Sequence, residues 1–154
     1  TVDLELGENH VRVQLAGIRF TSKLIDGRFP EYERVIPQDS SNEITAEREA
    51  LRGALQRTAI LSNEKYRGIR LIIRDSGVVM QAHNPEQEEA EEELEVAYSG
   101  EDIEIGFNVN YLLDALGAVD GDEVSLSVQD GNSSCLIRKP GSNESKFVVM
   151  PMRL

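Results

Sequence analysis

Carboxylates are the only reactive groups this chain holds in number, with 28 Asp and Glu against 16 Lys and Arg and a formal net charge of -12. Two carboxylates flanking a bond can act as general acid and base in a hydrolysis. The glutamates here do not divide into such a pair. They cluster in EQEEAEEELEV, residues 86 to 96, where a solvated face or a charged sheet edge that resists unwanted pairing is the plainer use. His10 and His83 each stand alone, and no CxxC or HxxxH spacing offers a metal ligand set. Cys135 lies in the strand-like run SCLI, which predicts a small buried hydrophobe. It has no second cysteine to pair with, and a reducing cytoplasm fits. No nucleophile elbow or phosphate loop is present. These residues point away from an enzyme, a metal site or a cofactor and towards a binding protein. The acidic balance also argues against an ordinary DNA-binding domain, because most of such a surface repels free nucleic acid.

The 154 residues suit one domain, or one domain plus part of another. No run approaches the roughly 18 apolar residues of a membrane span, so no membrane partner is expected. No signal peptide is legible, and residue 1 is Thr, as a processed or excised chain would have it. Residues 1 to 36 hold no helical pattern. VDLEL and HVRVQL alternate with period two, IRFTSKLI at 18 to 25 is a third strand, and turns at Gly7-Glu8-Asn9 and Ala16-Gly17 separate them. Such a meander needs a layer to pack on. Residues 28 to 37 carry two prolines and read as an extended connector, and PQDSSN, 37 to 42, reads as a linker.

Beyond the linker, a short strand at 43 to 46 leads into a helix over about 48 to 61. Leu51, Ala54, Leu55 and Thr58 share its apolar face, while Glu49, Arg52, Gln56 and Ile60 lie opposite. An isoleucine on a polar face marks an interface. Strands follow at 66 to 74 and 78 to 82. Helix propensity alone would make 86 to 96 a helix, but its strand neighbours and the alternation of LEVAY predict a strand. The plan then repeats: a strand at 102 to 106, Asn108 as N-cap, a helix with Val109, Leu112, Leu113 and Leu116 inward and Tyr111 off that face, Gly117 at its end, and strands at 123 to 128, 133 to 137 and 146 to 150. Strand, helix and three strands thus occur twice. VDLELGENHVRVQL near the start also resembles EVSLSVQDGNSSCLI at 123 to 137, so the opening residues look like the last part of a module whose full copy follows.

The last stretch, FVVMPMRL, is apolar where most chain ends are polar. Phe147 to Met150 reads as a strand ended by Pro151. Met152 and Leu154 either fold back onto the core or line a groove for a partner, a use that suits methionine's adaptable side chain.

Five strings carry a resemblance to the bacterial DNA sliding clamp family, the beta subunit of DNA polymerase III: LIDGRFPEYERVIP, AILSNEKYRGIRL, NPEQEEAEEELEV, IGFNVNYLLDAL and FVVMPMRL. The resemblance implies an α+β DNA clamp fold, strand-helix-three strands repeated twice with helices on one face of antiparallel sheets. Residues 1-36 would be the closing strands and connector of an incomplete second module, and 37-154 a complete third. It implies a processivity factor that encircles duplex DNA without sequence specificity, with helices lining the hole. It further implies binding to the replicative polymerase, the clamp loader, other polymerases and repair proteins through a short peptide motif.

By motif, the peptide cleft falls on Pro30, Arg34, Val35, Tyr66, Asn108, Tyr111, Ser134, Val148, Val149, Met150, Pro151, Met152, Arg153 and Leu154, which favours the groove reading of the last residues. Asn132 stands where the family can carry an apolar residue and is left out. The homodimer interface falls on Ile60 and Leu61 with the acidic edge Glu88, Glu89, Glu91, Glu92 and Glu93. Arg48 and Arg52 are the channel candidates, since local sign outweighs net charge beyond a Debye length of roughly 8 Å. Without a first module no closed ring is expected. The alternative is a protein-interaction module with no DNA role.

Overall fold

The computed structural model describes residues 1–29, 31–37, 42–75 and 77–154. The chain divides into two compact units, Thr1–Glu31 and Tyr32–Leu154.

The first unit is an antiparallel meander of β1 (Asp3–Leu6), β2 (His10–Leu15) and β3 (Ile18–Lys23). Ala16 and Gly17 both take positive φ, at 44° and 81°, which is the two-residue hairpin turn that matches strand twist. The register places Leu4, Val13 and Phe20 side by side, and Glu5, Arg12 and Thr21 side by side. With side chains alternating across a strand, one face is apolar and the other polar. Arg12 Nη1 donates to Glu5 Oε2 at 2.8 Å on the polar face. Among the described residues of this unit no helix occurs, and Leu4, Leu6, Ile18 and Phe20 are exposed. The layer that such a meander needs is not supplied by these residues.

The second unit contains the repeated plan. The first half is β4 (Asn42–Glu47), α1 (Arg48–Thr58, continued as a 3-10 turn Ala59–Leu61), β5 (Gly68–Arg74), β6 (Gly77–His83) and β7 (Glu89–Glu95). The second is β8 (Ile103–Asn108), α2 (Val109–Ala118), β9 (Glu123–Val128), β10 (Cys135–Arg138) and β11 (Phe147–Val149). Each half lends its first strand to the other. The sheet orders are β7-β6-β5-β8 and β11-β10-β9-β4, all antiparallel. A bridge between Thr45 and Ala97, with N–H···O distances of 2.9 and 3.0 Å, ties β4 to the chain just past β7. Neither half can complete its sheet alone.

Both helices start where a side chain meets orphan N–H groups. Glu47 accepts from the amides of Glu49 and Ala50 at 3.0 and 2.6 Å, and Asn108 accepts from Asn110 at 2.9 Å. The buried positions of α1 are Leu51, Ala54, Leu55 and Thr58, those expected. In α2 they are Val109, Leu112, Ala115 and Leu116; Leu113, expected on the same face, is partly buried and packs against the core. These faces meet the inward residues of the strands, among them Ile69, Leu71, Val78, Met80, Ile105 and Phe107, in one core. Among the described residues no helix is long and apolar enough to cross a membrane.

The structure corrects several expected boundaries. The connector is not wholly extended: Tyr32–Val35 forms a 3-10 turn, which the following Ile36-Pro37 pair cannot prolong, because proline disfavours helical backbone at the residue before it. Tyr66 and Arg67 precede β5, since Arg67 turns through φ 49°. β7 begins at Glu89 because Asn84 Oδ1 accepts from the amides of Glu86 and Glu88, each at 3.0 Å, and holds the turn closed. α2 runs past Gly117 to Ala118. β10 starts at Cys135, with Asp130 and Asn132 engaged in a turn whose Oδ1–N distance is 2.7 Å. The backbone amide of Asn132, the hydroxyl of Ser133 and its amide hold the Asp130 carboxyl below the usual range.

Cys135 is fully buried, and burial pushes its thiol from 9.0 up to about 12. The thiolate is the reactive species. The native protein is therefore expected to resist a thiol reagent that modifies the unfolded chain at once. Fast labelling without denaturant would contradict this packing.

Candidate functional site

The C-terminal segment owes its place to two glycines. After β11 the chain passes Met150 and Pro151 and crosses the outer face of the β5–β8 pair. There the Met152 amide donates to the Gly106 carbonyl at 2.8 Å. Gly106 lies in β8 between Ile105 and Phe107, both buried, so its missing side chain would point away from the core. Gly68 opens β5 and pairs with Asn108. A Cβ at Gly106 would lie 2.5 Å from the Met152 carbonyl oxygen and 2.8 Å from Leu154 Cγ; one at Gly68 would lie 2.4 Å from Leu154 Cδ2. Met152 and Leu154 thus lie on bare backbone.

Beside this segment opens a cleft of about 310 Å³ lined by Asn63, Tyr66, Gly68, His83, Met152, Arg153 and Leu154. Its walls are mostly apolar. Tyr66 is held by Asn63, whose Oδ1 accepts from the Lys65 and Tyr66 amides at 2.9 and 3.0 Å. Asn108 Nδ2 donates to the Tyr66 carbonyl at 3.2 Å, so the N-cap of α2 also secures this corner. The tyrosine ring remains exposed, with Lys65 Nζ 5.1 Å from its centroid.

The structure gathers the sequence-predicted cleft residues only in part. Tyr66, Met152, Arg153 and Leu154 line one hollow. Tyr111, Val148 and Val149 line another of about 490 Å³, with Asp114, Ala115, Lys146 and Phe147. Asn108 joins the two, as Tyr66's partner and the cap of the helix that carries Tyr111. Val35 accepts a hydrogen bond at its carbonyl from the Ser134 hydroxyl, which fixes the 3-10 turn bearing Arg34 to the β9–β10 loop. Met150 is exposed and Pro151 half-buried. Pro30 lies outside the described residues. Asn63, Gly68 and His83 were not among the predicted cleft residues. A glycine within a strand pattern, as in RGIRL or EIGFN, marks close backbone approach, and that signal could have found Gly68 and Gly106.

The acidic run forms the outer strand of its sheet. Glu89, Glu91 and Glu93 point outward, and Gln81 Nε2 donates to Glu91 at 2.7 Å. Glu88 accepts from Asn84 Nδ2 at 2.6 Å. Glu92 turns the other way and accepts from Arg57 Nε at 3.1 and 3.0 Å. The turn Ala59–Leu61 touches β7, which brings Ile60 and Leu61 next to this edge. Ile60 is 75 % exposed, against 2 % for its neighbour Ala59. Among the described residues no group of three or more His, Cys, Asp or Glu is placed to hold a metal.

The Arg57 hydrogen bond holds the Glu92 carboxyl below the usual range, against opposing desolvation. A depressed folded value gives stability that is present above the ordinary carboxylate range and lost as pH falls through it. Glu92→Gln is expected to flatten the acid side of the Tm profile while leaving its neutral plateau within the small span of exposed pairs. An unchanged acid limb would count against this pair.

Arg48 and Arg52 lie on the first turns of α1. Arg48 Nε donates to the Gly121 carbonyl at 2.7 Å and Nη1 to that of Leu116 at 3.2 Å, binding α1 to the end of α2. Arg52 makes a 3.4 Å contact with Glu49 and is the more exposed of the two.

The family model for the DNA polymerase III beta subunit, C-terminal domain, matches residues 33–153. The chain is similar to the beta sliding clamp of Pseudomonas putida, 54 % identical over 153 residues, covering 99 % of this chain and 42 % of that protein. It is also similar to that of Escherichia coli K12, 47 % identical over 151 residues, covering 98 % and 41 %. A crystal structure of the Pseudomonas aeruginosa sliding clamp bound to griselimycin superposes with a TM-score of 0.87 at 52 % identity, covering 99 % of this chain and 42 % of that one. The chain therefore spans less than half the length of these relatives.

Proposed function

Because the chain belongs to the beta sliding clamp family of DNA polymerase III, we propose that it serves as part of a processivity factor, a ring that encircles duplex DNA and tethers its clients. The clients are the replicative polymerase, the clamp loader, and other polymerases and repair proteins. Each inserts a short motif of glutamine and bulky apolar residues beside the C-terminal segment. The observation that carries this reading is the apolar cleft beside Met152 and Leu154, between the Tyr66 corner held by Asn63 and Asn108 and the segment tied to Gly106 through the Met152 amide. Such a hollow with few polar groups suits a short apolar peptide. The relative solved with griselimycin supports ligand capture by this family.

In the same reading, residues 1-36 correspond to the end of the second clamp module and 37-154 to the third. Exposed Ile60 beside the acidic β7 edge meets a basic strand of another clamp module and continues the sheet into a homodimer. Arg52, with Arg48, turns α1 towards the DNA. The setting is the cytoplasm, at the nucleoid. Nothing in this role calls for catalysis.

A fluorescent peptide carrying Gln-Leu, a spacer and Leu-Phe, titrated into this chain and into a version ending at Val149, tests the reading. Saturable binding by the first alone is expected. Equal binding by both would remove the C-terminal segment from the site, and binding by neither would overturn peptide capture by this chain.

A further inference from the structure

We infer that Gly68 and Gly106 are positioning residues of the cleft, kept free of side chains so that the last residues can lie flat on the β5–β8 pair and form its wall. The inference rests on the peptide-capture reading and adds to it what sets the wall's place.

Strand interiors disfavour glycine, which gives up backbone entropy and packs nothing. Positive φ is one reason to accept that loss. It does not apply here, since the glycines with positive φ are Gly17, Gly27, Gly121 and Gly141 among the described residues. Proximity is the remaining reason. Both positions face away from the core, and both meet the C-terminal segment at distances no real Cβ tolerates: 2.5 Å to the Met152 carbonyl and 2.8 Å to Leu154 Cγ at Gly106, and 2.4 Å to Leu154 Cδ2 at Gly68.

The two positions differ in what must yield. At Gly68 the obstacle is the far end of a leucine, which can rotate. At Gly106 it is a backbone carbonyl, and the Met152 amide of the same residue is bonded to Gly106 itself. A methyl at Gly106 therefore lifts the segment and breaks that bond, whereas a methyl at Gly68 displaces mainly Leu154. Gly106 is the stronger determinant.

The test compares Gly106→Ala and Gly68→Ala in the chain ending at Leu154 and in the version ending at Val149, and Leu154→Ala with and without Gly68→Ala in the longer chain alone. Overpacking a fitted contact predicts peptide affinity about tenfold weaker for Gly106→Ala, a smaller loss for Gly68→Ala, and no further loss from Gly68→Ala once Leu154 is already alanine. Exchange of the Met152 amide should accelerate in Gly106→Ala. The discriminating readout is the sign of the Tm change. In the version ending at Val149 the obstacle is gone, so Gly106→Ala should raise Tm by restricting the unfolded chain; in the full chain it should not. Equal Tm losses at both lengths, or unchanged Met152 exchange, would overturn the inference by showing that alanine harms the sheet itself or disturbs nothing. If the unaltered chain binds no peptide, the peptide-capture reading fails, and the exchange and Tm arms still decide the seat.

Discussion

Phe107→Ala is expected to cost about 4 kcal/mol, the range for a fully buried phenylalanine whose loss leaves a cavity. Phe107 is 0 % exposed and sits opposite Ile69 in the β5–β8 pair. It lies immediately before Asn108, the cap of α2, with the tail-bearing Gly106 before it. Its ring thus supports from beneath the strand on which the C-terminal segment rests. With total stabilities of about 5–15 kcal/mol, such a loss is a large share of the whole. Urea unfolding followed by far-UV circular dichroism measures it. A lower midpoint with an unchanged slope is the expected result, and an unfolding free energy within about 0.5 kcal/mol of the parent, the range of surface changes, would place Phe107 outside the core.

The second large effect lies at the junction of the repeats. Asn42 is 5 % exposed, and its Nδ2 donates to the Gln129 carbonyl at 3.2 Å. Its Oδ1 accepts from the Glu101 amide at 3.1 Å and lies 3.4 Å from the Tyr98 hydroxyl, which donates to the Glu101 carbonyl. One side chain thereby connects the start of β4 with the segment before β8 and the end of β9. Asn42→Ala leaves these groups short of a partner, and a cost of about 2–3 kcal/mol follows from their desolvation. Asn42→Asp keeps the acceptor but sets a carboxylate oxygen against the Gln129 carbonyl and buries a negative charge, so it should not recover the stability lost in Asn42→Ala. Desolvation, with Asp102 and Glu101 nearby, raises the Tyr98 phenol above 10.0. A raised folded value means that this contribution is complete below 10.0 and is lost as pH rises through it. A Tm change for Asn42→Ala no larger than that of an exposed asparagine would show that the network contributes little.

What the sequence alone determined is the order and type of the elements. Period-two and 3.6 patterns recur strongly enough in HVRVQL, in Leu51-Ala54-Leu55-Thr58 and in EVSLSV to be read without contacts. The glutamate-rich β7 was legible as a strand because LEVAY alternates and its neighbours are strands, although residue propensity favoured a helix. The doubled plan was visible because each half repeats these periods in the same order. The exchange of β4 and β8 between sheets was not legible, since pairing depends on partners about 80 residues away in sequence for Thr45 and Ser125. The split of the predicted cleft residues into two hollows, the turn of Glu92 towards Arg57 and the engagement of Arg48 with two carbonyls are likewise tertiary facts. Local pattern says which face a residue occupies, but not what stands opposite it. Gly68 and Gly106 show the boundary most plainly: sequence displays two glycines in strands, and only the folded chain brings Met152 and Leu154 close enough to explain why no side chain is there.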